Sequence, residues 1–167
     1  MTALPRDHVL RFARYNAWAN GLVMDCVGRL PDPEPWRPRQ AFFGSIMGTL
    51  NHGLVADRLW LARMTGEAMP WFTGLDQTLH DSVEDFRAAR AATDGAIAAA
   101  MTRVPLSGTL AFHNTRGEPQ SRDWAVILSH LFNHQTHHRG QIHDMLTQCG
   151  VVPPPLDLLY FPDPGPS

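Results

Sequence analysis

From Arg122 to Cys149 apolar residues return at helical intervals without a break, and Gly150 with the prolines just beyond it closes the stretch. At about 100° per residue, Trp124, Ile127, Leu131, His134, His138, Ile142, Met145 and Cys149 fall on one stripe. A helix of this length with a single apolar stripe must lay that stripe against other elements. The nature of those elements decides the fold.

Three further segments share the helical period. Tyr15, Trp18, Leu22 and Cys26 are spaced by threes and fours between Asp7 and Leu30, and Pro31 stops the pattern. The proline-dense "PDPEPWRPRQ" that follows is a connector. A second helix is expected over "FFGSIMGTLNHGLVADRLWLARMTG", residues 42–66, which is apolar on nearly every face and therefore buried on most of them. Gly44, Gly48 and Gly53 lower its intrinsic propensity. After a loop holding "MPWFTG", Val83, Phe86, Arg90, Thr93 and Ile97 mark a third helix from Leu79 to Arg103, ended by Pro105. "LSGTLAFHNTRGEPQ" alternates small polar and apolar residues around an "NTRG" turn, which predicts a short hairpin whose second strand is weakened by Pro119. Ser121 is placed to cap the last helix. The expected fold is all-α, an antiparallel four-helix bundle with a short β-hairpin before the last helix. It forms one domain over residues 1–167, with an irregular proline-rich tail over 152–167. The link between helices two and three, roughly a dozen residues, is long enough to cross the bundle.

Composition removes several functions. An apolar share of 44% with 18% charged residues belongs to a chain that folds. The net charge is -2 and the basic residues are scattered, so there is no electrostatic footprint for nucleic acid or an acidic membrane. Every basic side chain is arginine, which excludes Schiff-base chemistry and a lysine general base. Cys26 and Cys149 are too far apart for a C-x-x-C pair, and "MTALPRDHVLRFARYNAW" carries charges where a signal peptide needs an apolar run. No stretch approaches the ~18 apolar residues of a membrane span. A reduced, cytoplasmic setting is expected.

"NHQTHHRGQIH" packs His134, His137, His138 and His143 into one turn-rich interval of the last helix. His134 and His138 sit mid-seam, His130 lies at its edge, His137 on the flank and His143 on the opposite side. Imidazoles at i and i+4 stack on one face close enough to share an ion. The pattern fits two ligands or two hydrogen-bonded core histidines, since burying both unpaired costs about 1 to 3 kcal/mol per orphaned group. His52 in helix two shares a face with Gly48, Val55 and Leu59, so it is the candidate third ligand, with a core histidine as the plainer reading. Three imidazoles leave coordination positions for water or substrate. "HQTHH" is not the zincin H-E-x-x-H, because Gln135 cannot serve as general base. Tyr15, Trp18 and Trp60 read as core aromatics, Cys26 and Cys149 as small hydrophobes, His130 as a supporting hydrogen-bond partner, and Arg139 as a structural ion pair or hydrogen bond.

"YNAWAN", "LNHGLVADRLWL", "FHNTRGE" and above all "NHQTHHRGQIHDML", in that order, resemble the DinB family of damage-inducible bacterial metalloproteins along essentially the whole chain. The resemblance implies an up-down-down-up bundle, a homodimer, and a nickel, zinc or other divalent ion such as iron held by His52, His134 and His138. It further implies a low-molecular-weight thiol as cosubstrate of an S-transferase or isomerase acting on a small molecule. Such an ion would activate a thiolate, or lower the pKa of bound water for hydrolysis. No carboxylate is assignable as a base, so no catalytic residue beyond the triad is named. The competing expectation is a non-enzymatic, stress-linked metal-binding or dimerisation module.

Overall fold

The computed structural model describes residues 4–163, so the last four residues of the proline-rich tail lie outside the described residues. The chain is mainly helical, with four long helices and a small antiparallel sheet. Helix α1 spans Arg6–Val27 and stops short of Pro31. A short 3-10 turn at Glu34–Trp36 lies in the proline-rich connector.

Helix α2 spans Ile46–Thr65, four residues shorter at its start than the sequence pattern suggests. Ser45 adopts an extended conformation and its Oγ accepts from the Gly48 N–H at 2.9 Å, so the capping serine sets the boundary and Phe42 and Phe43 fall in the preceding turn. Gly66, left-handed at φ 77°, ends the helix. Helix α3, Val83–Met101, is likewise capped by Ser82, whose Oγ accepts from Asp85 N–H. The expected start at Leu79 fails because the Leu79 and His80 amides donate to Asn51 Oδ1 instead.

The hairpin pairs β1, Thr109–His113, with β2, Pro119–Asp123. Pro119 opens its strand opposite His113, where the missing donor costs least. Ser121 faces Ala111 within the ladder, so it does not cap the last helix; β2 runs directly into α4, Trp124–Gln148, through Asp123. The tail makes one 3-10 turn, Leu158–Tyr160, and is fastened by Tyr15 O–H donating to Leu156 O at 2.7 Å and by ion pairs from Arg11 and Arg14 to Asp163.

Side-chain contacts fix the helix pairing. Arg6 donates to Met101 O and Arg87 to Met24 O, so α1 and α3 run antiparallel. Phe12 meets Phe132, and Asn16 and Asn20 meet Arg139, so α1 and α4 run the same way. His52 meets His134 while Trp60 meets His130, which makes α2 antiparallel to α4. Asp57 meets Arg90 and Arg58 meets Thr93, which makes α2 and α3 parallel. Residues 66–82 must therefore return along α2, and this return places a loop carbonyl over the middle of that helix.

Two apolar clusters fill the interior. One joins Val23, Met24 and Val27 to Ile46, Met47, Leu50, Leu54, Phe86, Ile142, Met145 and Leu146. The other joins Val9 and Ala13 to Ile97, Met101, Trp124, Leu128, Leu131 and Phe132. Between them lies a belt of buried polar residues, among them Asn16, Asn20, Asp57, Arg90, Asp94, Gln135 and Arg139. Arg90 sits 2.8 Å from both Asp57 and Asp94, although its approach to Asp57 is an ion pair without hydrogen-bond alignment. Burial works against the Arg90 charge, but Asp57 and Asp94 outweigh it and hold its pKa above the ordinary value. A cluster of three histidines forms at one side of this belt.

Candidate metal centre

His52 comes from the middle of α2, and His134 and His138 from successive turns of α4. Their rings turn inward at one point. The Nε2 atoms of His52 and His134 lie 3.3 Å apart, those of His138 and His134 3.1 Å apart, and the three ligand atoms all fall within 4.8 Å of one another. His52 and His138 are buried and His134 is half-buried, so the cluster has a closed side and an accessible one.

The outward nitrogens decide the tautomers. His52 Nδ1 lies 2.8 Å from Leu75 O, a carbonyl that can only accept, so Nδ1 carries the proton. His138 Nδ1 lies 2.9 Å from Gln141 Oε1, and the Gln141 amide is held in that sense by its Nε2 donating to His137 Nε2 at 3.1 Å. Both neutral rings therefore aim a lone pair at His134 Nε2, which can donate one proton to one of them at most. A tetrahedral ion with bonds of about 2.0–2.1 Å to nitrogen separates its ligand atoms by about 3.3 Å, which matches the two short separations. The donor set fits a divalent cation.

The rings stay neutral. Burial, with the neighbouring His138, His52, His130 and His137 charges, pushes the His134 pKa down to about 3. Burial lowers His138 to about 4 against the Gln141 hydrogen bond, and burial lowers His52 against its bond to Leu75.

Phe43 covers the closed side. Its ring stacks on His52 at 3.8 Å and 15° and meets His138 edge-on at 5.6 Å. Gly48 makes this possible, because a Cβ there would stand 2.1 Å from Phe43 O. Gly44, at φ 74°, turns the chain just before.

The other singled-out residues divide. His130 is exposed and packs its ring on Trp60 and His134 at 5.4 and 5.6 Å; the supporting hydrogen bonds come from Leu75 and Gln141, and none joins His130 to the cluster among the described residues. His143 lies outside the cluster. Arg139 is buried and structural, donating to Asn16, Asn20 and Thr136. Tyr15 is a core residue, whereas Trp18 and Trp60 are half-buried. Cys26 is buried, but the Cys149 thiol is more than apolar filling: it accepts from Arg39 at 2.8 Å and lies 3.1 Å from Met145 O. Sequence reasoning missed Phe43, Leu75 and Gln141. Gln141, three residues after His138 on the same helix, was the most discoverable of them.

Comparison with known families matches residues 6–166 to the DinB family. The chain belongs to the DinB family. Protein DinB of Bacillus subtilis (strain 168) is 25% identical to it over 157 residues, covering 90% of this chain and 91% of that protein. No solved structure matches it. The DinB match runs through all four helices and the hairpin, so it includes His52, His134, His138 and the residues that orient them. No helix among the described residues of this DinB chain is long and apolar enough to cross a membrane.

Proposed function

We propose that this protein is a divalent-metal-dependent enzyme acting on a small molecule, with His52, His134 and His138 as the metal ligands. The observation that carries the reading is the convergence of three Nε2 atoms, two of which aim lone pairs inward because their Nδ1 protons are committed to Leu75 and Gln141. The cation would supply Lewis acidity at an open position, lowering the pKa of a bound water or a thiol. The chain itself orients the rings, keeps them unprotonated and shields two of them beneath Phe43, while half-buried His134 marks the side from which a substrate approaches.

Nickel, zinc and iron all suit three imidazoles. A single domain folded as an up-down-down-up four-helix bundle belongs to the proposal and is supported by the four helix pairings. A cytoplasmic location is supported by two cysteines that remain free thiols. The homodimer, the thiol cosubstrate and the stress-linked role follow from the family resemblance. His134→Ala purified without an affinity tag is expected to lose stoichiometric metal by elemental analysis, while His143→Ala keeps it. Equal metal content in the two variants overturns the assignment.

A further inference from the structure

A groove with a volume of about 460 Å³ opens between α2, the hairpin and the first turns of α4. His130 lines it, and the His130 ring is in contact with that of His134, so the groove leads to the accessible side of the three histidines. Its lining includes Arg63, Arg116 and Arg122 and no carboxylate; Arg116 is ion-paired with Glu118 at 3.1 Å, so the groove's positive charge without an ion-pair partner among the described residues comes from Arg63 and Arg122. Its remaining wall is apolar: Trp60, Phe112 and Val126, the last of these 41% exposed along the groove.

Arg63 is the distinctive member. Its guanidinium carbon lies 4.8 Å from the Trp60 ring centre and 4.9 Å from that of Phe112, which fixes the group in place. Its Nε is buried with no hydrogen-bond partner, and among the described residues no acidic side chain pairs with it. A positioned arginine without a counter-ion, on the wall of a groove, presents a fork that matches a carboxylate. The hairpin is held rigid for this purpose: Asn114 Oδ1 accepts from the Arg116 and Glu118 amides, and Gly117 takes a left-handed turn.

We propose that this groove binds a small organic carboxylate with an apolar body, its anionic end on Arg63 and the body along Trp60, Phe112 and Val126 toward His134. The inference rests on the metal-enzyme reading for what happens at His134, and gives that reading a substrate class.

The test uses 3-phenylpropionate and its uncharged amide as probes, titrated calorimetrically into the metal-loaded full chain. The carboxylate is expected to bind at least tenfold more tightly than the amide. Arg63→Gln is expected to remove that preference while keeping its metal content, whereas Arg103→Gln, exposed and outside the groove, leaves it unchanged. Val126→Glu, at a position already open to solvent, places a negative charge in the groove without touching the core and is expected to abolish carboxylate binding. Equal affinity for the two probes, or an undiminished preference in either Arg63→Gln or Val126→Glu, overturns the proposal. Binding to His134→Ala separates the two readings: carboxylate preference retained in a metal-free variant supports the groove whatever the fate of the metal assignment.

Discussion

His52 and His138 each carry an Nδ1–H pointed at an acceptor, and this outward bond leaves the inward nitrogen with the free lone pair that a metal ligand needs. Gln141→Leu keeps the volume of the side chain and removes the acceptor, so it is expected to weaken metal binding about 10- to 100-fold, measured by competition with a chelating dye. Glutamate at the same position restores an acceptor and is expected to recover affinity. The same rings set a pH dependence in the metal-free protein. Unfolded histidines take up protons near pH 6.5, whereas the folded His138 and His134 resist until about pH 4 and 3. Between those limits the unfolded chain binds more protons, so stability is present above pH 6.5 and is lost as pH falls through the window. Thermal melts of metal-free protein across pH 7 to 4 are expected to decline, with a shallower slope in His134→Ala. The His134 and His138 pair was legible in the sequence because i, i+4 spacing and a shared seam are local properties of a helix, whereas the choice of His52 as their companion came from the family resemblance. Leu75 was not, because its contribution is a backbone carbonyl delivered by a returning loop, which no side-chain pattern encodes.

At the scale of elements, four helices and the hairpin were visible from period and punctuation, and the errors fell at their ends. Each error has a local competitor: the Ser45 cap displaced the start of α2, the amides near Leu79 were taken by Asn51, and the β-ladder extended past Ser121 to Asp123. Gly48 shows how a boundary becomes functional. In an ordinary helix interior, alanine is favoured over glycine by about 1 kcal/mol. Here the Cβ would collide with Phe43 O, so the turn carrying the Phe43 ring onto His52 must move. Gly48→Ala is therefore expected to lower both the melting temperature and the metal affinity. Gly53→Ala, whose Cβ would make only an ordinary 3.9 Å contact with Gln135, is expected to leave the melting temperature unchanged or raise it. Calorimetry on the two variants distinguishes a steric requirement from a general intolerance of alanine in α2.

Across the whole molecule, the three histidines occupy the edge of a polar belt that separates two apolar clusters, and neither cluster includes any of the three. The belt has its own ties: Arg90 links α3 to α2 through Asp57, and Arg139 links α4 to α1 through Asn16 and Asn20. Removing one partner of a buried ion pair typically costs about 3–5 kcal/mol because it strands the other charge, so Arg90 and Asp57 fix how α3 sits on α2 more than they add net stability, and the Arg139 ties are hydrogen bonds to neutral amides. Because the apolar clusters that join the four helices contain none of the three histidines, the helices are expected to stay assembled without a cation, unlike small domains whose folding energy comes from their metal. A bound metal would still stabilise by mass action, by about 4 kcal/mol when the free ion is a thousandfold above its dissociation constant. Stripping the ion with a chelator is then expected to leave the far-ultraviolet circular dichroism essentially unchanged while the melting temperature falls, and adding metal back is expected to restore the melt. Loss of helical signal on chelation would instead assign the ion a structural role, since a site that only closes an already folded helix pair has no reason to unfold them.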